Sequence, residues 1–332
     1  MILVTGVCGF IGFHLAKRLL EEGFDVVGLD NINSYYDVNL KLARLEELKK
    51  LVHKGSFKFE KTDLCDTKDL KRIFDENTFD IVINLAAQAG VRYSIEHPEV
   101  YVESNINGFF NIIECCRHSK PRALLYASSG SVYGANTKMP FSTEDKVDSP
   151  LSLYGASKKT NELMAYSYSS LFKLPTIGLR FFSVYGPWGR PDMALFIFTK
   201  AILENKTIQL YNYGNMERDF TYVDDIVESI YRVMKKSFEP ETFKDKQYYI
   251  FNIGNHRPEK LSTFVDYIEK EIGKKAKKEY VEMQPGDVPS SFAEVKDLVE
   301  WIDYSPSTTI ETGIKNFINW YRDYYNVSKS VR

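Results

Sequence analysis

Tyr154 and Lys158 stand four residues apart in Tyr154-Gly155-Ala156-Ser157-Lys158. On a helix that spacing stacks the two side chains on one face. A free phenol has a pKa of roughly 10 and is a poor base at neutral pH. An ammonium beside it favours the phenolate and draws its pKa toward the working range. The pair could serve as a proton shuttle. Tyr and Lys at this spacing also fall on many solvated helices, so the surrounding chain must supply the context.

A second chemistry-bearing stretch opens the chain. Met1-Ile2-Leu3-Val4-Thr5 is an apolar run that reads as a buried strand. Gly6-Val7-Cys8-Gly9-Phe10-Ile11-Gly12 follows, then a helix over Phe13–Glu22 and a strand over Asp25–Asp30. The glycines allow backbone N–H groups and the helix N-terminus to approach a pyrophosphate. Gly6, Gly9, Phe10, Ile11 and Gly12 are therefore expected at a dinucleotide, with Asp30 and Asn31 at the end of the next strand. Asp30 can accept from both hydroxyls of an adenosine ribose and would repel a 2′-phosphate, which favours NAD over NADP. The spacing is G-x-x-G-x-x-G, and its strand-turn-helix context is the one such a site requires.

The elements that must position these residues alternate. Strands are expected over Phe57–Lys61, Asp80–Leu85, Ala123–Ala127 and Thr176–Phe182. Helices are expected over Thr67–Phe74, Val100–His118 and Tyr154–Phe172. Asp63 and Leu64, past the third strand, would reach the adenine edge; Leu85, Ala86 and Ala87, small residues at a strand's carboxyl end, would let a flat cofactor lie close. Asn105 is taken as a further cofactor contact. The connection from Asn33 to Gly55 is long, and Leu40, Ala43, Leu45, Leu48 and Leu51 mark a helix in it with a solvated Lys/Glu face.

This pattern gives an α/β fold: a Rossmann-type, doubly wound parallel sheet covered on both faces, with a smaller C-terminal α/β lobe. Residues 1–182, with a segment near 222–252 returning to them, are expected to form the NAD-binding domain. Residues 183–221 and 253–332 are expected to form the smaller, ligand-binding lobe, with a helix at Leu195–Glu204 and a strand at Ile208–Tyr211. Asp224-Asp225 precedes an apolar helix and reads as its N-cap.

The balance of 43 Lys and Arg against 45 Asp and Glu leaves a net charge of −2, so no global field attracts nucleic acid or an anionic membrane. An anionic ligand would need a local cluster of cations. Cys8, Cys65, Cys115 and Cys116 fit neither a zinc site nor a redox pair, so no metal is expected and a reducing compartment is the default. No apolar run approaches bilayer length, and the N-terminus has no cleavable leader pattern; a cytoplasmic location is expected.

Ser129, in Ser128-Ser129-Gly130-Ser131-Val132-Tyr133-Gly134, leaves one sheet strand just before the Tyr154 helix. In a doubly wound sheet both places border one crevice. With the glycine turn, Asn84-Leu85-Ala86-Ala87, and Arg218-Asp219-Phe220 before Val223-Asp224-Asp225, the chain resembles the extended short-chain dehydrogenase/reductase superfamily over essentially its whole length. The resemblance implies that Tyr154 is the acid/base. It also implies that Lys158 holds the nicotinamide ribose, and that Ser129 hydrogen-bonds the reacting sugar oxygen. Dehydratases of the superfamily place Asp-Glu where this chain has Gly130-Ser131, and decarboxylases place Glu at Ser131. Epimerisation at C4 fits what remains.

Asp30-Asn31-Ile32-Asn33-Ser34-Tyr35-Tyr36-Asp37, Gln88-Ala89-Gly90-Val91-Arg92-Tyr93-Ser94 and Ser183-Val184-Tyr185-Gly186-Pro187-Trp188-Gly189-Arg190-Pro191 resemble UDP-glucuronate 4-epimerases. By that resemblance Arg190 faces the sugar's carboxylate; otherwise it pairs with Asp192 or Asp145. Arg218 meets the pyrophosphate, or bridges to Asp219 or Asp224. Asp287 meets the uridine ribose, Ser131 and Ser183 join Ser129 at the sugar, and Tyr211 packs on the uracil or belongs to a plain strand. Ser183 stands where the family has Thr, and Gln284 where many relatives have Arg. Arg92 is a further candidate for an anionic group. The family pattern implies a homodimer through the helices Val100–His118 and Tyr154–Phe172, and a place in polysaccharide biosynthesis. A UDP-glucose or UDP-N-acetylglucosamine 4-epimerase, a dehydratase or decarboxylase, and a non-catalytic NAD-binding regulator are the alternatives.

Overall fold

The computed structural model describes residues 1–51 and 55–327. Residues 52–54, at the end of the long connection, and 328–332, at the end of the expected lobe, lie outside them. Thirteen strands occur among the described residues: β1 Ile2–Thr5, β2 Val26–Asp30, β3 Phe57–Lys61, β4 Ile81–Asn84, β5 Ala123–Ser129, β6 Thr176–Phe181, β7 Ser183–Tyr185, β8 Thr207–Leu210, β9 Glu217–Tyr222, β10 Tyr248–Ile253, β11 Pro258–Lys260, β12 Lys277–Tyr280 and β13 Ser290–Ser291.

Seven of them form one sheet in the order β10-β6-β5-β4-β1-β2-β3. Every pair in it is parallel. Parallel strands need crossover helices, and these bury both faces. Accordingly every residue of β1, β2, β4 and β6 is buried. The period of two divides them: Ile2 and Val4 join one core, Leu3 the other. The order reverses direction at β1 and β4, and a crevice opens there at the carboxyl ends.

The smaller lobe is built on β9, which pairs with β7, β11 and β13, while β8 and β12 pair separately. Its own core is aromatic; Phe220 and Phe264 stack with ring centroids 4.2 Å apart. The expected domain division stays our reading of the chain, with one change. The helix Lys296–Ile302, expected in the lobe, packs on the main sheet instead: Leu298 and Ile302 are in that core, and the Trp301 ring lies 4.9 Å from Phe251 on β10.

Local boundaries differ from expectation where a glycine or a tertiary contact decides. The first helix runs Phe10–Glu21, three residues earlier than expected, and so takes in Gly12. Strand β5 extends to Ser129 because β6 pairs with it that far, Ser129 opposite Phe181. The expected Val100–His118 helix is Pro98–Tyr101, a π-helical stretch Val102–Asn107, and Gly108–Ser119. Asp224 and Asp225 are not caps: the helix begins at Val223, and the Asp225 carboxylate accepts from the Tyr304 hydroxyl at 2.6 Å and the Thr308 N–H at 3.0 Å.

Candidate active site

The crevice is a cavity of about 950 Å³. At one end its wall is the turn between β1 and the first helix. Gly6 has φ +71°, and a Cβ there would lie 2.8 Å from the Ala86 nitrogen. A Cβ on Gly12 would lie 2.1 Å from the Gly6 carbonyl oxygen. Side chains are sterically excluded, so the backbone itself faces the cavity. Gly9, Phe10 and Ile11 line it beside them, and Leu85, Ala86 and Ala87 line the facing wall.

Asp30 closes this end. Its carboxylate accepts from the Cys8 N–H at 3.0 Å and the Ile32 N–H at 2.8 Å. Burial raises its pKa, and these donors with Lys41 and Arg44 oppose the rise. Asn31 donates to Asp63 at 2.7 Å, and Asp63 and Leu64 complete the rim. Lys41 also lines the cavity, but its ammonium donates to the carbonyl and side-chain oxygens of Asn33, each at 2.7 Å. A glycine turn at a helix N-terminus, with a carboxylate rather than an uncommitted cation at the next strand's end, fits a dinucleotide with a free ribose diol.

Further along, β5 delivers Ser129, whose hydroxyl accepts from the Ser131 N–H at 3.1 Å. Tyr154 stands in the first turn of the helix Leu153–Phe172, which Ser152 caps by accepting from the Gly155 N–H at 3.1 Å. A Cβ on Gly155 would lie 2.6 Å from the Ser131 carbonyl oxygen, so this glycine lets the helix start press against the serine loop. Ser129, Ser131, Tyr154 and Lys158 all line the cavity.

The expected effect of Lys158 on the phenol is corrected. Burial pushes the Tyr154 pKa above its ordinary value; the opposing influences are the Ser129 hydroxyl and the Arg190 charge, not Lys158. The Lys158 ammonium donates to the Ala127 carbonyl at 2.9 Å, and burial lowers its pKa to about 8.

The lobe supplies Ser183, Arg190, Arg218 and Asp287 to the same cavity. Of the acids offered to Arg190, Asp192 is the partner, at 2.5 Å; Asp145 pairs with Lys138 at 3.6 Å. Arg218 pairs with Asp287 at 2.6 Å, not with Asp219 or Asp224. Asp219 is buried and accepts from the N–H groups of Asn255, His256 and Ala293. Two expected site residues stand elsewhere. Tyr211 lines an adjoining cavity of about 480 Å³, under the guanidinium of Arg92 at 4.9 Å. Asn105 is buried outside the cavity wall: its side chain bonds the Gln88 N–H and carbonyl and the Ser157 hydroxyl, so it braces the strand exit and the helix.

Three features escape a sequence reading. Arg44 is fully buried and donates to the carbonyls of Cys8 at 2.8 Å and Trp188 at 2.5 Å, tying the glycine turn to the loop that carries Arg190. Its signal is present: with Leu40, Leu45 and Leu48, Lys41 and Arg44 fall on the apolar stripe of the helix Val38–Lys50, not on its solvated face. Glu162, two turns after Tyr154, bonds Ser128 at 2.6 Å and Arg180 at 2.8 and 2.9 Å, locking helix to strand. Tyr35 donates to Asp192 at 3.0 Å. Among the described residues no cluster of His, Cys, Asp or Glu could hold a metal, and no helix is long and apolar enough to cross a membrane.

A parallel doubly wound sheet, a glycine turn with its carboxylate, and Ser129, Tyr154 and Lys158 at neighbouring strand and helix ends define an NAD-using enzyme of the extended short-chain dehydrogenase/reductase class. Residues 2–254 match the NAD dependent epimerase/dehydratase family, and the chain belongs to it. It is similar to Protein CapI of Staphylococcus aureus, 54% identical over 334 residues that cover 98% of this chain and 99% of that one. UDP-glucuronate 4-epimerase 1 of Arabidopsis thaliana is 45% identical over 341 residues, 100% of this chain and 79% of that protein. The crystal structure of UDP-glucuronic acid 4-epimerase from Bacillus cereus, in complex with UDP-glucuronic acid and NAD, superposes with a TM-score of 0.89 at 31% identity, covering 98% of this chain and 99% of the other.

Proposed function

We propose that this chain interconverts UDP-glucuronate and UDP-galacturonate by epimerisation at C4. That it is an isomerase, a nucleotide-sugar 4-epimerase using NAD, rests on its family and its relatives. The choice of sugar rests on one observation: Arg190 lines the same cavity as Ser129, Tyr154 and Lys158. A desolvated guanidinium beside the reacting carbon discriminates a carboxylate from a neutral hydroxymethyl group.

Gly6, Gly9, Phe10, Ile11, Gly12, Asp30, Asn31, Asp63, Leu64, Leu85, Ala86 and Ala87 would hold NAD, with Lys158 at its nicotinamide ribose. When bound, NAD supplies the hydride acceptor and donor for C4. Tyr154 takes the proton of the 4-hydroxyl, with Ser129 beside it, and returns it to the oxygen of the 4-keto sugar once the ring has turned its opposite face to the cofactor. Arg218 and Asp287 anchor the nucleotide while the sugar turns, so that binding energy remote from C4 preserves alignment. Ser131 and Ser183 bound the sugar. The 4-keto sugar is a β-keto acid, and tethering its carboxylate on Arg190 opposes loss of CO₂. Gly130-Ser131 offers no acid for dehydration.

A neutral-sugar reading has one observation in its favour: Arg190 is already paired with Asp192. A substrate panel decides. UDP-glucuronate, UDP-glucose and UDP-N-acetylglucosamine are each incubated with the protein and NAD and followed by proton NMR. UDP-galacturonate should form with the highest kcat/KM; faster turnover of either neutral sugar overturns the choice.

The nucleotide substrate and free cysteines favour a cytoplasmic enzyme that supplies an acidic sugar for polysaccharide assembly. A homodimer is favoured by apolar side chains exposed on the two long helical segments, including Phe110, Leu163, Tyr166 and Leu171. Sedimentation should give a dimer mass, and Leu163→Asp a monomer.

A further inference from the structure

Arg190 is not simply a cation at the cavity wall; it is held by one particular edge. Its Nε donates to Asp192 Oδ1 at 3.0 Å and its Nη2 to Asp192 Oδ2 at 2.5 Å. Among the described residues its Nη1 has no hydrogen-bond partner. Asp192 is itself fixed. The Tyr35 hydroxyl donates to its Oδ2 at 3.0 Å, and the Tyr35 ring packs on Tyr93 with centroids 4.7 Å apart. Tyr35, Arg190 and Asp192 all line the cavity.

The backbone beneath is pinned too. The carbonyl of Trp188, a residue at φ +60°, accepts from the buried Arg44, and the Pro187 carbonyl meets the His14 ring nitrogen at 2.9 Å. The pair is two residues apart in one clamped turn. Asp192 therefore stays when an anion arrives and does not compete with it by leaving. A guanidinium offers two bidentate faces, and occupying one directs the other. With a carboxylate alongside, the local charge nearly cancels, so selection falls to directed N–H groups.

We propose that Asp192 and Tyr35 are positioning residues that set substrate specificity. They hold the Nε–Nη2 edge of Arg190 so that its Nη1 end meets the substrate's carboxylate. This rests on the reading of Arg190 given under Proposed function. The test uses the full chain with NAD and compares wild type, Asp192→Asn and Tyr35→Phe, measuring Kd, KM and kcat for UDP-glucuronate and UDP-glucose. Asp192→Asn should weaken UDP-glucuronate binding about tenfold and Tyr35→Phe about threefold, with kcat within about threefold of wild type. UDP-glucose affinity should stay within about twofold in both, which also reports that the variants are folded. Unchanged or tighter UDP-glucuronate binding in Asp192→Asn overturns the proposal, as does an equal loss for both sugars in the two variants. A wild type that does not prefer UDP-glucuronate overturns instead the reading of Arg190 on which this stands.

Discussion

The two walls of the cavity treat charge in opposite ways. On the sheet side, Lys158 in the lining and Arg44 outside it donate to main-chain carbonyls, those of Ala127, Cys8 and Trp188, with no carboxylate in direct contact, while Arg180, also outside the lining, pairs with Glu162. On the lobe side, each cation meets an acid: Arg190 with Asp192, Arg218 with Asp287. Buried cations without counter-ions raise the energy of the fold but create a site already arranged for proton transfer. Paired cations cost less and keep their geometry, and what they offer an anion is direction more than net charge. On the proposed function, the sheet wall gives up stability for preorganisation, while the lobe wall sorts ligands.

The sharpest way to break this contrast is at the phenol. Tyr154→Phe should cut kcat about a thousandfold while leaving nucleotide-sugar affinity near wild type, in steady-state assays paired with calorimetry. Next comes the pair that supports the same wall. Glu162 and Arg180 are both buried, and Glu162→Gln should destabilise by roughly 3–5 kcal/mol in denaturant titrations, because it strands the guanidinium.

Lys158→Met should do the reverse at neutral pH. The folded-state pKa of Lys158 falls from 10.5 to about 8, so holding the cation costs the folded protein about 3 kcal/mol at pH 7. Leaving the Ala127 carbonyl unpaired returns about 1–2 kcal/mol of that. The inactive variant should therefore melt a few degrees higher at pH 7. With a depressed folded pKa, wild-type stability rises with pH between about 8 and 10.5, so the variant's advantage should fade over that window. Smallest is the lobe: Asp287→Asn should change stability by less than about 1 kcal/mol, because that pair is partly exposed, yet weaken UDP binding about tenfold in titration calorimetry.

What the sequence reveals divides along the same line. The sheet side is legible because its signals are local: apolar runs, glycines at 6, 9 and 12, and a helical Tyr–Lys spacing. Five of the seven main-sheet strands can be placed from runs and alternation up to Phe182, with β6 one residue short of the expected end and β5 two beyond it. The sixth, the Asp25–Asp30 run, is β2, and the return of β10 follows only as a segment. Less legible is anything decided by packing across the chain. Lys41 and Arg44 share the apolar stripe of their helix, but that Arg44 reaches the Trp188 carbonyl, 144 residues away, follows only from the fold. Arg190 has two candidate acids, Asp192 and Asp145, and the fold selects Asp192. The pKa of Tyr154 follows its burial, and the charge that opposes the rise is that of Arg190, distant in sequence, rather than the Lys158 that spacing alone suggests. Asn105 sits in a π-helical stretch whose register no periodicity discloses.

The central claim is that, within a single cavity, one phenol exchanges a proton with a sugar hydroxyl whose carbon exchanges a hydride with NAD, and that the sugar is a uronate. UDP-glucuronate carrying deuterium at C4, incubated with the protein and NAD in ordinary water, tests it directly by NMR. The account predicts UDP-galacturonate with the deuterium still on C4. Loss of the label to solvent, release of CO₂, or recovery of unchanged UDP-glucuronate would contradict it.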